Sequence, residues 1–367
     1  MQKCFIEIIS IPMIGILYRK LLRPVLFCFD PDKVHKAFVS LGKILGEFAV
    51  GRWFIGWLYD YPGQKLEKKI DGVVHRTPIG LAAGFDYNGE LANILPYMTF
   101  GSEEVGSVTA RPCPGNPKPR LRRMVKSKAL VVYKGLKNQG VDRIIARLKK
   151  ARPRGGFVLG ISIAKTNDRE SVGLEKGIED YYYSLKRLTE EQVGDFYTIN
   201  ISCPNVHGGE DFSSPERLEK LLTRLRTIKH DKPMYAKMPI NQDWDSFNKM
   251  LKVIDKTGLH GVVIGNLNKN YDEAPYPEEA PNEYRGGLSG SLCRTRSTEL
   301  IRQTRSNWGD RFTIIGCGGI LTAEDAIEKL EAGADLLQLI TGMIFHGPHL
   351  MKNICRKLEK KGSKARS

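Results

Sequence analysis

Residues 200–205, with the sequence Asn-Ile-Ser-Cys-Pro-Asn, combine the side chains in this chain that are best suited to chemistry. They follow an apolar run at 196–199 that predicts a buried strand, and the Pro-Asn pair predicts its end. Cys203 offers a thiol that exchanges a proton, and Asn200 and Asn205 offer carboxamides that hydrogen-bond without charge. The pattern indicates proton removal from a neutral, amide-rich small molecule. The alternative is an inert, buried cysteine, which is the commonest state of this residue type.

Lys237 is the second candidate, because it lies inside the apolar run Tyr-Ala-Lys-Met-Pro at 235–239. A lysine that faces a protein interior requires an anionic partner, and the flanking motifs contain no carboxylate. A cofactor with delocalised negative charge, such as a reduced flavin, would provide that partner. We favour this interpretation over a structural ion pair.

Glycine-rich turns near the end of the chain indicate an anion site. Residues 316–320 (Gly-Cys-Gly-Gly-Ile) close one apolar run, and the Thr-Gly pair at 341–342 closes the next. A backbone without Cβ atoms can approach a phosphate closely, and backbone N–H groups with a hydroxyl can bind it. The Gly-rich run at 286–290 adds a further candidate contact, with a bare turn as the alternative.

The elements that position these groups alternate between short apolar strands and amphipathic helices. Near-continuously apolar runs, which predict buried parallel strands, lie at 79–83, 104–109, 157–164, 196–202, 234–238, 261–266, 313–318 and 336–342. Helical periodicity occurs at 142–151, 178–190, 215–228, 244–256, 297–306 and 323–332. Eight strands alternating with helices predict an α/β fold, a closed (β/α)8 TIM barrel.

In such a barrel, functional groups lie just after the strands, on the C-terminal face. Polar residues and glycines occur at these points with regularity, namely Gly84, Asp86, Ser107, Lys165, Cys203, Asn205, Lys237, Asn266, Gly319 and Thr341. We therefore expect them to surround one site.

Composition restricts the partners and the compartment. The chain has 367 residues and a net charge of +16, which favours anionic partners such as phosphorylated ligands, anionic lipid or nucleic acid. Its 7 cysteines include no CxxC pair, which argues against a disulfide framework or a zinc site and for reduced thiols in a cytoplasmic compartment. Its 7 histidines form no HExxH motif, so we expect no metal.

The first 28 residues are rich in apolar side chains. The uninterrupted stretch at 8–18 is too short to cross a bilayer, which takes about 20 apolar residues. Arg19, Lys20 and Arg23 beside several leucines predict a basic amphipathic segment that lies on a membrane surface.

A second helix is predicted at 30–48, with Asp30 as its N-cap. Two compatible interpretations of this N-terminal part remain, a helical hairpin docked on the barrel and a contact with the membrane surface. At the other end, residues 352–367 are basic and are expected to fray beyond the last helix.

The motifs together resemble the dihydroorotate dehydrogenases, FMN-containing barrels of pyrimidine synthesis, over roughly residues 20–355. They occur in the family's order as LAAGFD (81–86), GSVTARP (106–112), PGNPKPR (114–120), NQGVD (138–142), NISCPN (200–205), GGLSG (286–290), IGCGGI (315–320) and TGMIFHGP (341–348). The N-terminal helices and DPDKVHK at 30–36 resemble the membrane-associated, quinone-reducing class, in which the extension forms a tunnel for the quinone.

The resemblance implies a set of site residues. FMN is implied as the cofactor, bound by Ala83, Gly84, Ser107, Ser162, Asn200, Lys237, Gly290, Gly319 and Thr341. Asn200, Asn205 and Asn266 would hold the substrate ring through its amide edges. Cys203, which stands where the quinone class usually has Ser, would take a proton while flavin N5 takes the hydride. Lys237 would stabilise the reduced flavin.

Several positions depart from the family's pattern around the substrate. Tyr87 stands where the family has Lys, Val132 where it has Asn, and Leu267 where it has a hydroxyl residue. Unpaired buried substrate groups cost roughly 1–3 kcal/mol each. The carboxylate of orotate would therefore be held weakly unless Lys134 or Lys137 compensates.

The resemblance implies FMN-dependent oxidation of dihydroorotate to orotate, with electrons passed to quinone. The first alternative is a flavin oxidoreductase of the same family that acts on another substrate. A reductase of tRNA uridines is a further alternative, which the basic charge favours and the absence of an aromatic-rich nucleic-acid module disfavours. We therefore expect no nucleic-acid partner, and intact candidate residues argue against a non-enzymatic remnant.

The expected organisation has three parts. Residues 1–50 form the membrane-associating extension, residues 51–355 the FMN-binding barrel and residues 356–367 a basic tail. The expected location is the cytoplasmic face of the cell membrane, with peripheral attachment.

Overall fold

A closed barrel of eight parallel strands forms the centre of the molecule. The computed structural model describes residues 13–61, 66–202, 212–281 and 284–364. The barrel strands are β1 (Ile79–Leu81), β2 (Ser102–Val108), β3 (Val158–Ile163), β4 (Phe196–Asn200), β5 (Met234–Met238), β6 (Gly261–Ile264), β7 (Thr313–Cys317) and β8 (Leu336–Leu339). Strands pair in chain order, and β8 pairs with β1, which closes the barrel. The predicted TIM barrel and its eight strands are confirmed.

Burial explains why these short runs form strands. Every residue of β2, β4, β5 and β6 is buried, as expected for parallel strands covered on both faces. Phe196, Tyr235 and Ile315 belong to one apolar cluster near the N-terminal ends of the strands. Because side chains alternate along a strand, Lys237 lies on the same face as Tyr235, one layer higher. The barrel is therefore filled with apolar side chains below and polar ones above.

Three helices precede the barrel. They are α1 (residues 13–27, with a π-helical centre at Tyr18–Leu22), α2 (Pro31–Glu47) and α3 (Ala49–Tyr59). Asp30 caps α2 as predicted, and its carboxylate accepts a hydrogen bond from the Lys33 N–H at 2.8 Å. The Tyr18 hydroxyl donates to the Ile344 carbonyl at 2.6 Å, which docks α1 on the chain after β8. The expected boundary at residue 50 falls at the start of α3.

The helices that surround the barrel follow their strands. They are α4 (Val141–Leu148), α5 (Leu174–Glu190), α6 (Pro215–Leu225), α7 (Trp244–Lys256), α8 (Arg294–Trp308) and α9 (Ala323–Glu331). Ser214, Asp243 and Thr322 accept backbone hydrogen bonds as N-caps of α6, α7 and α9. Leucines such as Leu222 on α6 are fully buried, and each such side chain contributes about 1.5–3 kcal/mol.

A small antiparallel sheet covers part of the barrel's upper end. Its strands, Leu121–Met124, Ala129–Val132 and Gly287–Gly290, come from the segments after β2 and β6. A hairpin of Lys68–Ile70 and Val73–His75 covers the lower end, where the Tyr235 hydroxyl donates to Asp71 at 2.8 Å. The upper sheet thus brings two distant loops to one side of the site.

The C-terminal segment differs from its prediction. Residues after β8 form α10 (Thr341–His346) and α11 (His349–Lys364), so the expected fraying from residue 352 is wrong as far as residue 364. Met351, Ile354 and Cys355 are fully buried on one face of α11. Packing of this face against the barrel stabilises a helix whose other face carries the basic residues.

Within the described ranges, no helix combines the length and the apolar character that crossing a bilayer requires.

Candidate active site

One cavity of about 470 Å³ opens above the C-terminal ends of the strands, between the barrel and the N-terminal helices. A volume of this size accommodates a cofactor-sized small molecule. The predicted site residues that line it are Ala83, Gly84, Ser107, Asn200, Lys237, Asn266, Gly290, Gly319 and Thr341. The closure of the barrel therefore brings together residues from one end of the chain to the other.

Amide and hydroxyl groups form a connected network on the cavity floor. The Asn200 amide donates to Ser107 Oγ at 2.9 Å, and its Oδ1 accepts from the Asn266 amide at 3.2 Å. Tyr181 donates to the Asn200 carbonyl at 2.7 Å, which anchors the end of β4. These contacts fix which way each carboxamide points, and fixed amides are suited to recognising the amide edges of a ring.

Ser162 differs from the other predicted cofactor residues in its position. It is fully buried and does not line the cavity. Its hydroxyl lies 2.8 Å from Ser107 Oγ, so it supports Ser107 from behind. The structure thus brings Ser162 to the site without exposing it there.

Ser202 is the last described residue before the predicted thiol. Its hydroxyl donates to the Lys237 carbonyl at 3.2 Å and accepts from the Asn266 amide at 2.8 Å. These two bonds fix the chain at the cavity floor directly before Cys203. The predicted residues Cys203 and Asn205 themselves lie outside the described residues.

Lys237 is 5% exposed, and it lines the cavity. Among the described residues it forms no ion pair. The thiol of Cys317, at the end of β7, is within its electrostatic reach: burial raises the pKa of Cys317, and the ammonium of Lys237 opposes this. A buried ammonium without a carboxylate favours an anionic ligand in the cavity.

Two glycine turns and a hydroxyl pair form the opposite end of the cavity. Gly319 has φ +74°, and a Cβ atom there would lie 2.7 Å from the Arg294 backbone nitrogen. Gly290 has φ +80°, and its Cβ atom would lie 2.9 Å from a methyl group of Thr341. The Ser289 and Thr341 hydroxyls are 2.9 Å apart beside these turns. Only glycine fits here, and the exposed backbone is suited to an anion.

The wall facing the helices is largely apolar. Tyr87, Val132 and Leu267, the three departures from the family's pattern, all line the cavity. His35 of α2 also lines it, and its Nε2 lies 2.8 Å from the Phe85 carbonyl. Burial lowers the pKa of His35 to about 4, so its imidazole is neutral at pH 7. These side chains therefore limit the shape of a bound ligand and carry no charge.

A buried ion pair at the cavity's edge was not foreseen from the sequence. Lys134, one of the two lysines that could compensate for the missing Lys and Asn, forms an ion pair with Asp32 of α2. Their side chains are 7% and 5% exposed, and the Lys134 ammonium lies 5.4 Å from the centre of the Tyr87 ring. The partners are 102 positions apart, and no local pattern signals such a contact.

The charges around this pair are predominantly positive. Burial raises the pKa of Asp32, but the hydrogen bond and charge of Lys134 outweigh it and hold the pKa below its ordinary value. Burial lowers the pKa of Lys134, and the charges of Lys137 and Arg120 lower it further. The hydrogen bond and charge of Asp32 raise this pKa but do not outweigh the other effects. An excess of positive charge at the rim favours the entry of an anionic substrate.

The cavity continues outward between the N-terminal helices. This apolar corridor is lined by Val34, Phe38, Leu41, Leu45 and Ile55. It leads from the polar floor to the exposed face of α2 and α3. A hydrophobic ring compound could therefore reach the floor without crossing the polar rim.

Comparisons with known proteins agree with this architecture. The sequence profile of the dihydroorotate dehydrogenase family matches residues 65–361. The chain is 36% identical over 346 residues to the quinone dihydroorotate dehydrogenase of Gloeobacter violaceus, which covers 93% of this chain and 94% of that protein. It is 35% identical over 350 residues to the protein of the same name from Vibrio parahaemolyticus, at 93% and 100% coverage.

Solved structures give the same result. A crystal structure of dihydroorotate dehydrogenase from Eimeria tenella in complex with ferulenol superposes with a TM-score of 0.79 and 26% identity. The superposition covers 92% of this chain and 96% of that chain. Fold, cavity and sequence thus lead to one assignment: the chain belongs to the dihydroorotate dehydrogenase family.

Proposed function

We propose that this protein is an FMN-dependent enzyme that oxidises dihydroorotate to orotate in pyrimidine biosynthesis and passes the electrons to a quinone. The observation that carries the proposal is a continuous cavity that joins an amide-rich floor to an apolar corridor. A polar, amide-containing substrate fits the floor, and a hydrophobic electron acceptor fits the corridor. The names of the relatives support the same pair of reactants.

The residues around the cavity fit FMN. The Lys237 ammonium, which forms no ion pair with any described residue, suits a flavin ring that gains negative charge on reduction, and the turns at Gly290 and Gly319 suit a phosphate. Ala83, Gly84, Ser107, Asn200 and Thr341 complete the set that would hold the group. Bound FMN would accept the hydride of the substrate and carry its electrons to the quinone.

Substrate binding and proton removal are assigned to residues at the cavity floor. Asn200 and Asn266 would hold the amide edges of the substrate, together with Asn205. Cys203 would remove the proton, because it follows Ser202, which two hydrogen bonds fix beside Lys237 and Asn266. A thiol with an ordinary pKa near ~8.5 can serve as a general base once the bound substrate has displaced water.

An anaerobic titration tests the proposed reaction. Dihydroorotate is added to the purified, flavin-containing protein, and we expect the flavin absorbance to bleach and to return on addition of a soluble quinone. Dithionite is the control, because it reduces the flavin whatever the substrate. If dithionite bleaches the flavin but dihydroorotate does not, the proposed substrate is wrong.

A specific observation favours a second candidate, a flavin oxidoreductase of this family that acts on another substrate. Tyr87, Val132 and Leu267 present little charge or hydrogen bonding to the cavity, and Lys134 is already paired with Asp32. An uncharged ring would suit this wall better than a carboxylate. Bleaching by an uncharged cyclic amide, but not by dihydroorotate, would select this candidate.

We further propose that the protein attaches peripherally to the cytoplasmic face of the cell membrane through its N-terminal helices. Trp53 and Trp57 of α3 are 66% and 64% exposed, on an extension that also exposes several large aliphatic side chains. Arg19, Lys20 and Arg23 of α1 add positive charge to the same extension. Exposed aromatic rings with nearby basic residues favour an anionic lipid surface.

Glutamate in place of both tryptophans is expected to reduce binding to vesicles of phosphatidylcholine and phosphatidylglycerol by at least about tenfold. Each buried aromatic side chain contributes roughly 1.5–3 kcal/mol of transfer free energy. Co-sedimentation of the Trp53→Glu/Trp57→Glu protein measures the loss. Tyr276→Glu, at an exposed aromatic residue in the segment after β6, is the matched control and should bind as the unaltered protein does. Equal losses of vesicle binding in both variants would indicate that repulsion between the added glutamates and the anionic lipid accounts for the effect.

A further inference from the structure

A lysine lies fully buried behind the glycine turn that follows β7. Lys329 of α9 has no exposed surface, and its ammonium donates to Ser297 Oγ, to Thr298 Oγ1 at 2.9 Å and to the Arg294 carbonyl at 3.5 Å. All three acceptors belong to the first five residues of α8 and are uncharged. In the described part of the chain, Lys329 forms no ion pair with a carboxylate.

The ammonium is connected to the turn through one side chain. Ser297 Oγ, which accepts from Lys329, donates in turn to the Gly318 carbonyl at 3.5 Å. Gly318 and Gly319 line the cavity on their other side. The turn is therefore held between a buried cation and the space in which an anion would lie.

The carboxylates near Lys329 are already paired with another cation. Arg294 forms ion pairs with Asp325 and with Glu328, both at 2.6 Å. Burial lowers the pKa of Lys329 to about 8, against the opposing effects of Cys317 and Cys293. The two carboxylates balance the two cations in number, but both contact Arg294, so the Lys329 ammonium has no contacting counter-ion in the described part of the chain. A charge buried away from water acts over a longer distance than an exposed one.

We propose that Lys329 is the countercharge for the phosphate of FMN and acts from behind the Gly318–Gly319 turn without contacting it. The inference rests on the proposed FMN cofactor and assigns a positioning role to a residue outside the cavity. It has a consequence for specificity, because riboflavin has the same ring system as FMN and lacks the phosphate. The protein should therefore prefer FMN to riboflavin, and Lys329 should account for part of that preference.

The test compares the two flavins on the full-length protein after its flavin has been removed. Unaltered protein, Lys329→Met and Lys329→Arg are titrated with FMN and with riboflavin, and the flavin fluorescence is followed. We expect Lys329→Met to weaken FMN binding by about tenfold or more and riboflavin binding by less than about twofold, since the loss of a buried unit charge near the turn has an effect of this order. Lys329→Arg should retain the preference.

The outcomes separate this inference from the proposed function. Unaltered protein that binds neither flavin contradicts the cofactor itself. A different result would overturn the countercharge: the unaltered protein prefers FMN, but Lys329→Met weakens the binding of both flavins equally or of neither. Lys329 would then serve only the packing of the turn.

A measurement on the unaltered protein tests the countercharge role of Lys329 even if the Lys329→Met variant fails to fold. The ratio of FMN to riboflavin affinity should fall between pH 7 and pH 9.5, as the ammonium loses its proton. Of the groups that face Lys329, burial raises the pKa of Cys293 to about 12 and also raises that of Cys317, while Arg294 pairs with Asp325 and Glu328. An affinity ratio that stays constant over this range contradicts the proposal.

Discussion

Replacement of Cys203 by Ala is expected to slow flavin reduction by dihydroorotate by about 10²–10⁴-fold while FMN stays bound. The thiol is the most acidic side chain among residues 200–205, and the hydroxyl of the neighbouring Ser202 is already hydrogen-bonded to Asn266 and to the Lys237 carbonyl. The hydrogen bonds of Asn200 and Asn266 hold the cofactor side of the floor without any contribution from the thiol. Anaerobic stopped-flow absorbance measures the rate, and the absorbance of the purified variant reports the bound flavin.

Two controls make this result specific. Cys28→Ala removes an exposed thiol on the N-terminal extension and should leave the rate unchanged. Cys203→Ser retains a hydroxyl, so it should recover part of the rate. The rate of the unaltered protein should rise with pH and level off at a lower pH than that of the Ser variant, because a thiol is more acidic than a hydroxyl. A Cys203→Ala protein that is reduced at the original rate would remove the thiol from the mechanism.

Removal of one partner of the Asp32–Lys134 pair is expected to lower the free energy of unfolding by about 3–5 kcal/mol, because it leaves a buried charge without compensation. Both side chains are almost fully buried; Oδ1 of Asp32 contacts Lys134, and Oδ2 has no hydrogen-bond partner among the described residues. Asp32→Asn and Lys134→Met preserve the approximate shapes. The double variant should lose less stability than either single one, since it buries no charge. Urea denaturation of all four proteins measures the coupling.

The ion pair between Lys126 and Glu278 provides the control, because its side chains are 60% and 57% exposed. Lys126→Met should leave the midpoint of the urea transition unchanged, as expected for a solvent-screened pair. Additive losses in the Asp32 and Lys134 variants would show that the two residues act independently. The pair joins α2 to the cavity's edge, so a loss of quinone turnover in the single variants would extend its role to the corridor.

The basic architecture follows from local sequence patterns. Apolar runs separated by amphipathic segments specify the eight strands, since parallel strands covered on both faces must be apolar throughout. The N-cap at Asp30 is equally local, because the carboxylate reaches only the N–H groups of its own first turn. The tail from residue 352 was predicted wrongly because its charge suggested fraying, whereas its apolar face is covered by the barrel.

Most of the site could also be placed from the sequence. A closed parallel barrel carries the residue after each strand to one face, so Ser107, Lys237 and Thr341 had to meet there. Ser162 shows the limit of this reasoning. It lies on the correct strand and at the correct level, but Ser107 separates it from the cavity, and only the packing of side chains determines which of two neighbours is exposed.

The sequence by itself therefore determined the barrel, its glycine turns and the identity of the groups at its mouth, because these depend on periodicity and on the order of strands. Only the tertiary structure decided how the charges are paired. Asp32 neutralises Lys134 across 102 positions, and Lys329 contacts no carboxylate of the described ranges because Arg294 pairs with Asp325 and Glu328. Electrostatic partners are chosen by distance in space and by burial, and neither quantity is encoded in the local pattern of residues.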